Sequence, residues 1–80
     1  MVEYAGASRG HSLWQVDVTN GIVVLEDGSR WKVYQGFVDI LRTWQAEEMV
    51  TIKPNRDPLF PYKVINIHKN QSVEAQYLDG

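Results

Sequence analysis

Few side chains in this 80-residue sequence could carry out acid–base, nucleophilic or metal chemistry, and they lie far apart. The chain has no cysteine, and its two histidines are His11 and His68. His11 lies among glycines and serines near the start of the chain, and His68 lies in a polar segment that we interpret as a turn. A catalytic or metal site needs its groups held together by positioned elements. We therefore predict no catalytic residue, no metal site and no cofactor.

Two pairs of neighbouring carboxylates are the remaining candidates for acid–base chemistry. They are Glu26 with Asp27 and Glu47 with Glu48. Consecutive residues of an extended chain point to opposite sides, so we expect the two members of each pair not to cooperate. We interpret both pairs as solvated charges in turns, and we predict that the protein is not an enzyme.

One strand carries cations and an aromatic residue on the same face, which could bind nucleic acid. Arg30, Lys32 and Tyr34 alternate along this strand, and Lys63 lies on a later one. Barrels with such faces hold single-stranded nucleic acid by base stacking and phosphate contacts. The net charge of −2 disfavours phosphate binding, and cations also keep outer strand faces soluble. Nucleic-acid binding is therefore the alternative function.

A proline-rich segment offers a different kind of surface. Three prolines lie within residues 54–61 and predict an irregular loop. Its apolar residues Leu59 and Phe60, followed by Tyr62, could dock a protein partner. Leu59 and Phe60 could equally fold back and cap an open end of a barrel, and both interpretations stay open at this point. The Phe60–Pro61 bond is a candidate for the cis form.

Two turn signals organise the first half of the chain. Asn20-Gly21 and Asp27-Gly28 accept the positive φ angles of tight hairpin turns, and each lies between β-favouring residues. Together they predict a three-stranded meander with strands over residues 13–18, 22–26 and 30–34.

The periodicity changes after this meander. Phe37, Ile40, Leu41 and Trp44 follow a helical spacing and predict a short helix that packs on the sheet. Extended patterns then resume over residues 49–53, 62–67 and 72–78. This order predicts an all-β protein, a small five- to six-stranded barrel with one short helix between the third and fourth strands. An OB-like barrel has its helix in that place, so we favour it over an SH3-like barrel.

Length and composition predict one small domain. Three Trp, four Tyr and two Phe supply much of its packing, and we expect Trp14, Trp31 and Trp44 to point into the core. We predict a mobile leader over residues 1–12 and a single barrel domain over residues 13–80. No apolar run approaches the ~20 residues of a membrane-spanning helix, so we predict no membrane span. The first residues do not have the pattern of a signal peptide.

Several segments resemble a family of short, functionally uncharacterised bacterial β-barrel proteins. The motif Leu25-Glu26-Asp27-Gly28-Ser29-Arg30-Trp31 carries most of this resemblance. The other matching segments are Lys32, Val33, Trp44, residues 50–52 and residues 61–66. The resemblance covers residues 22–67, and Glu47-Glu48 stands where the family has a Gly-Asp turn. It implies a compact, soluble β fold and supplies no activity.

The residues together favour binding over catalysis. We predict a non-enzymatic interaction module that binds an unidentified protein through the proline-rich loop or through a strand edge. The alternative is an OB-like binder of single-stranded nucleic acid that uses the basic and aromatic strand face.

Overall fold

The protein is a closed, six-stranded antiparallel barrel. The computed structural model describes residues 10–78, and it confirms the predicted all-β fold with a short helix between the third and fourth strands. The strands are β1 (Gly10–Asp17), β2 (Ile22–Leu25), β3 (Arg30–Val33), β4 (Met49–Pro54), β5 (Tyr62–Asn66) and β6 (Gln71–Leu78). A 3₁₀ turn (Gln35–Phe37) leads directly into helix α1 (Val38–Leu41).

The barrel closes because β1 has two neighbours along its length. Its first half, from Gly10 to Ser12, pairs with β4, and its second half, from Leu13 to Asp17, pairs with β2. The strand order around the barrel is β1-β2-β3-β6-β5-β4, with every pair antiparallel. Each of the six strands therefore has two neighbouring strands, although each half of β1 pairs with only one of its two. Binding through a strand edge stays a prediction. The OB-like assignment stays a prediction.

The two glycine turns of the meander have the expected backbone. Gly21 and Gly28 have φ angles of +65° and +85°, in the region that glycine adopts at no steric cost. The Gly28 N–H donates to the Leu25 carbonyl at 2.9 Å. These turns set the register in which Val23 lies opposite Trp31, and so they place the central tryptophan.

Aromatic rings fill the interior around Trp31, which has no exposed surface. The Tyr62 and Tyr77 rings pack on it, with centroids 5.2 and 5.0 Å away. Trp44 and Leu41 of the helical segment are also buried, which confirms that this segment packs on the sheet. Aliphatic residues complete the core: Leu13, Val23, Leu25, Val33, Val50, Ile52, Val64, Val73 and Ala75.

The prediction that Trp14 points into the core is wrong. The β1–β2 register shifts between Leu13 and Gln15, and such a bulge resets the alternation of side chains. As a result Leu13 is buried, whereas Trp14 is 69% exposed. Sequence alternation alone carries no sign of an extra residue in a strand, so the phase of this strand was misassigned.

The predicted boundary between leader and barrel also differs from the structure. Strand β1 begins at Gly10, and His11 is only 5% exposed, so residues 10–12 belong to the barrel. The rest of the predicted leader lies outside the described residues. Between residues 10 and 78 no helix has the length and apolarity needed to cross a membrane, and no peptide bond is cis, the Phe60–Pro61 bond included.

Candidate functional site

An open groove of about 720 Å³ lies on the side of the barrel. Three connections form its walls: the β1–β2 turn, the end of β3 with the 3₁₀ turn and helix that follow, and the loop of residues 55–61, called here the proline loop. The residues that matter most for its chemistry are Asn20, Lys32, Tyr34, Val38, Phe60 and Gln76.

The rings of Tyr34 and Phe60 line the groove, and the Phe37 ring packs against Tyr34. The Tyr34 ring meets Phe60 with centroids 5.0 Å apart and Phe37 with centroids 5.9 Å apart, both edge to face. Tyr34 remains 46% exposed, so this outer aromatic cluster keeps ring surface open to solvent. Aromatic edges and faces of this kind are good contact surfaces for another chain.

The proline loop is held in place by side-chain hydrogen bonds. Asn55 Nδ2 donates to the Phe60 carbonyl at 2.8 Å and to Glu74 Oε2 at 2.7 Å. The Asn55 N–H donates to the Pro61 carbonyl at 2.8 Å, and Gln76 Nε2 donates to the Leu59 carbonyl at 2.7 Å. These bonds tie both sides of the loop to each other and to β6. The loop therefore presents its side chains in a fixed arrangement.

Charges beside the groove nearly balance. Lys32 Nζ donates to the Asn20 carbonyl, and Asp39 lies on the same lining. Hydrogen bonds from the side chain and backbone of Asn20, helped by the Lys32 charge, hold the pKa of Asp17 below its ordinary value. A carboxylate therefore stays ionised next to Lys32, which reduces the attraction of this side of the groove for phosphate.

Only two of the four predicted nucleic-acid-binding residues lie in the groove. Lys32 and Tyr34 line the groove, whereas Arg30 and Lys63 lie outside it. Lys63 pairs across the strands with Glu74, so a carboxylate stands between the two basic strands. Contrary to the alternative function, the four residues do not form one uninterrupted basic face.

The three predicted protein-binding residues lie in three different surroundings. Leu59 is 69% exposed at the edge of the loop, and it does not cap the barrel. Phe60 contributes its ring to the groove wall. Tyr62 begins β5 with its side chain inward, only 8% exposed against Trp31. The prediction that Tyr62 is a docking residue is therefore wrong, because the strand alternation that starts at residue 62 places it in the core.

Sequence reasoning missed three of the six groove residues named above. Asn20 was interpreted only as a turn residue, and Val38 and Gln76 carry no signal that links them to residues far along the chain. The β3–β6 pairing, with Lys32 opposite Gln76, brings one of them beside the predicted cation. Without the strand order this neighbourhood could not be predicted.

A second cluster lies where β1 passes the β2–β3 turn. His11 Nδ1 is 3.2 Å from each carboxylate oxygen of Glu26 and 3.8 Å from Asp27 Oδ2. The expectation that Glu26 and Asp27 point to opposite sides is wrong, because Asp27 lies in a turn and strand alternation does not apply to it. The structure thus brings together three groups that we expected to be separate.

No family model, no curated protein and no solved structure matches the chain. The resemblance to short bacterial barrel proteins therefore stays a prediction. The fold and the site together define a small closed β-barrel with a lateral groove.

Proposed function

We propose that this protein is a non-enzymatic binding module that receives an extended segment of a partner protein in the groove beside the proline loop. The observation that carries the proposal is the aromatic wall of the groove, where Phe60 packs against the half-exposed Tyr34. Phe60 and its exposed neighbour Leu59 belong to a loop that hydrogen bonds from Asn55 and Gln76 hold in place. A surface that is already ordered loses little conformational entropy on binding, and this supports a docking role for the loop.

The composition of the groove supports an extended peptide as its ligand. The outer aromatic cluster offers apolar contacts, and the groove also contains the Gln76 amide and the Asn20 turn, which carry hydrogen-bonding groups. Extended peptides, including polyproline helices, bind to aromatic-lined grooves in this way, because their backbone groups remain available for hydrogen bonds. A neutral or weakly charged segment fits the near balance of Lys32, Asp17 and Asp39.

The test begins with peptides selected on the immobilised protein from a random library. Each selected peptide is then titrated into the labelled protein and followed by amide chemical shifts. We expect shifts at Tyr34, Phe60 and Gln76. We also expect Leu59→Ser combined with Phe60→Ser to weaken binding at least tenfold, equivalent to about 1.4 kcal/mol.

A matched control separates binding in the groove from nonspecific binding to exposed apolar surface. Ile67 is 57% exposed and lies outside the groove, so Ile67→Ser removes a comparable apolar surface and should leave peptide affinity unchanged. Equal losses in both variants, or selected peptides that shift residues elsewhere on the barrel, would contradict the proposal.

The alternative is a single-stranded nucleic-acid binder, because Lys32 and Tyr34 do share the groove. A mixed single-stranded oligonucleotide should be titrated at low salt and at about 0.15 M, where screening is strong beyond about 8 Å. Arg30→Gln with Lys63→Gln removes two cations without changing the groove, since neither residue lines it. Salt-sensitive shifts that this variant abolishes would favour nucleic acid over peptide.

A further inference from the structure

A buried imidazole faces two carboxylates at the cluster of His11, Glu26 and Asp27. His11 is 5% exposed, and one donor atom from each of the three residues lies within 4.8 Å of the other two. The two carboxylate side chains are 44% and 34% exposed. The cluster is therefore closed on the barrel side and open to solvent on the other, so a small ion from solution can reach it.

The spacing of these atoms matches that of ligands around one metal ion. Zinc binds imidazole nitrogen and carboxylate oxygen at about 2.0–2.2 Å, so tetrahedral ligands lie about 3.4 Å from one another. His11 Nδ1 lies 3.2 Å from the nearer oxygens of Glu26 and 3.8 Å from Asp27 Oδ2. The two distances from His11 are close to this value. The donor oxygens of the two carboxylates lie within 4.8 Å of each other, and their partly exposed side chains could move onto an ion.

Hydrogen bonds orient the Asp27 carboxylate and fix the backbone of Glu26. Asp27 Oδ1 accepts hydrogen bonds from the Ser29 N–H at 2.9 Å and the Ser29 hydroxyl at 2.6 Å, which leaves Oδ2 facing His11. The buried Trp31 Nε1 donates in turn to the Ser29 hydroxyl at 3.0 Å. The Glu26 N–H donates to the Ser12 carbonyl at 2.9 Å. Such outer contacts are what orient the ligands of metal sites.

We propose that His11, Glu26 and Asp27 bind a divalent metal ion of the zinc type. The single imidazole favours zinc and its neighbours over magnesium and calcium, which prefer all-oxygen sites. Two carboxylates with a neutral imidazole carry two negative charges, which the ion neutralises. Three protein ligands leave a coordination position for water or for an exogenous group. This site is separate from the groove, and it is independent of the proposed peptide binding.

The experiment is a calorimetric titration of the full chain with Zn²⁺ alone, repeated in two buffers of different ionisation enthalpy. We expect one ion per chain. The metal takes the lone pair of His11 Nδ1, and the two buffers report any proton that leaves the protein on binding. Glu26→Gln and Asp27→Asn should each weaken binding at least tenfold, and His11→Gln should abolish it. Mg²⁺ and Ca²⁺ should bind at least tenfold more weakly than Zn²⁺.

Two controls keep the result specific to this cluster. His68→Gln removes the other histidine, and Glu47→Gln removes one carboxylate from a different turn; both should leave zinc affinity unchanged. Because His11 is buried and its replacement could unfold the protein, the Glu26 and Asp27 variants carry the test by themselves. Absence of saturable zinc binding, equal affinity in Asp27→Asn, or loss of binding in His68→Gln would overturn the proposal and leave an ion pair only.

Discussion

The molecule contains two aromatic clusters with similar ring geometry and different surroundings. Inside the barrel, Trp31 contacts Tyr62 and Tyr77 with centroids 5.2 and 5.0 Å apart. Outside it, Tyr34 contacts Phe60 and Phe37 at 5.0 and 5.9 Å. The inner cluster surrounds a ring with no exposed surface, whereas the outer cluster is centred on a half-exposed tyrosine.

This difference in burial leads us to expect different roles for the two clusters. A buried ring contributes its whole hydrophobic surface to folding, and its removal leaves a cavity. A partly exposed ring keeps surface that a ligand can cover, at a small cost to the stability of the free protein. The inner cluster should therefore dominate stability, and the outer cluster should dominate binding.

The largest expected effect is that of Trp31→Ala. Removal of a fully buried tryptophan should lower the free energy of unfolding by about 3–5 kcal/mol, which is a large part of the total for a domain of this size. Thermal or urea unfolding, followed by circular dichroism, measures the loss. Near-native melting of this variant would mean that the ring is not at the centre of the core.

The sequence predicts some of the buried and exposed aromatic positions and not others. The positive-φ glycines, Gly21 and Gly28, specify the hairpins, and alternation around Trp31 gives the correct face of β3. The bulge at residues 13–15 has no such signal, and so the exposure of Trp14 could not be predicted. For Tyr62 the start of the strand was predicted correctly, but the sequence did not show which face of that strand points into the core.

The candidate site was predictable only in pieces. Lys32, Tyr34 and Phe60 attract attention as cationic or aromatic residues near turns, yet their proximity depends on β3 and β5 both pairing with β6. The His11 cluster depends on β1 passing the β2–β3 turn. Contacts between residues distant in sequence depend on which strands are neighbours, and the sequence did not show the order of the strands around the barrel.

Buried polar groups also contribute to stability, and Glu48→Ala should give the second largest loss in the free energy of unfolding. Glu48 Oε1 accepts hydrogen bonds from the Gln45 N–H at 2.8 Å and from Asn66 Nδ2 at 3.1 Å, and Oε2 lies 3.0 Å from Lys69 Nζ. Asn66 has no exposed surface. Unpaired buried donors cost about 1–3 kcal/mol, and we expect a loss of that size on urea unfolding.

A matched variant identifies the cause of that loss. Glu48→Gln keeps an oxygen that can accept the hydrogen bonds from Gln45 and Asn66, so it should be clearly less destabilising than Glu48→Ala. Equal losses in the two variants would show that the charge beside Lys69, and not the hydrogen bonds, holds this network together.

The contribution of Glu48 to stability should depend on pH. Burial alone would raise the pKa of Glu48, but hydrogen bonds from Gln45, Lys69 and Asn66 outweigh it and hold the pKa below the ordinary value of 4.5. A carboxylate with a lowered pKa stabilises the fold above pH 4.5, and this contribution is lost as the pH falls below that value. The stability difference between the native chain and Glu48→Gln should therefore shrink on acidification through this range. Urea unfolding curves of both proteins at several pH values measure this difference. A difference that stays constant down to pH 3.5–4, or that grows, would contradict the lowered pKa.

Phe60→Ala tests the outer cluster with a smaller effect on stability. Its contact with Tyr34 is of the kind worth about 0.5–1.5 kcal/mol, and a shift in melting temperature should reveal a loss in that range. The same variant should weaken binding of a selected peptide at least tenfold. If the stability loss reached that of Trp31→Ala, the two clusters would not differ in role.

The smallest change in stability is expected for Leu59→Ser. The side chain is largely exposed, while the hydrogen bonds that fix its loop use backbone groups and the side chains of other residues, Gln76 and Asp57 among them. Surface substitutions of this kind change stability by less than about 0.5 kcal/mol. Peptide affinity, measured by titration beside Ile67→Ser, should nevertheless fall. A variant that binds the peptide as the native chain does would assign recognition to the rings alone, and the loop would then serve only to hold Phe60 against Tyr34.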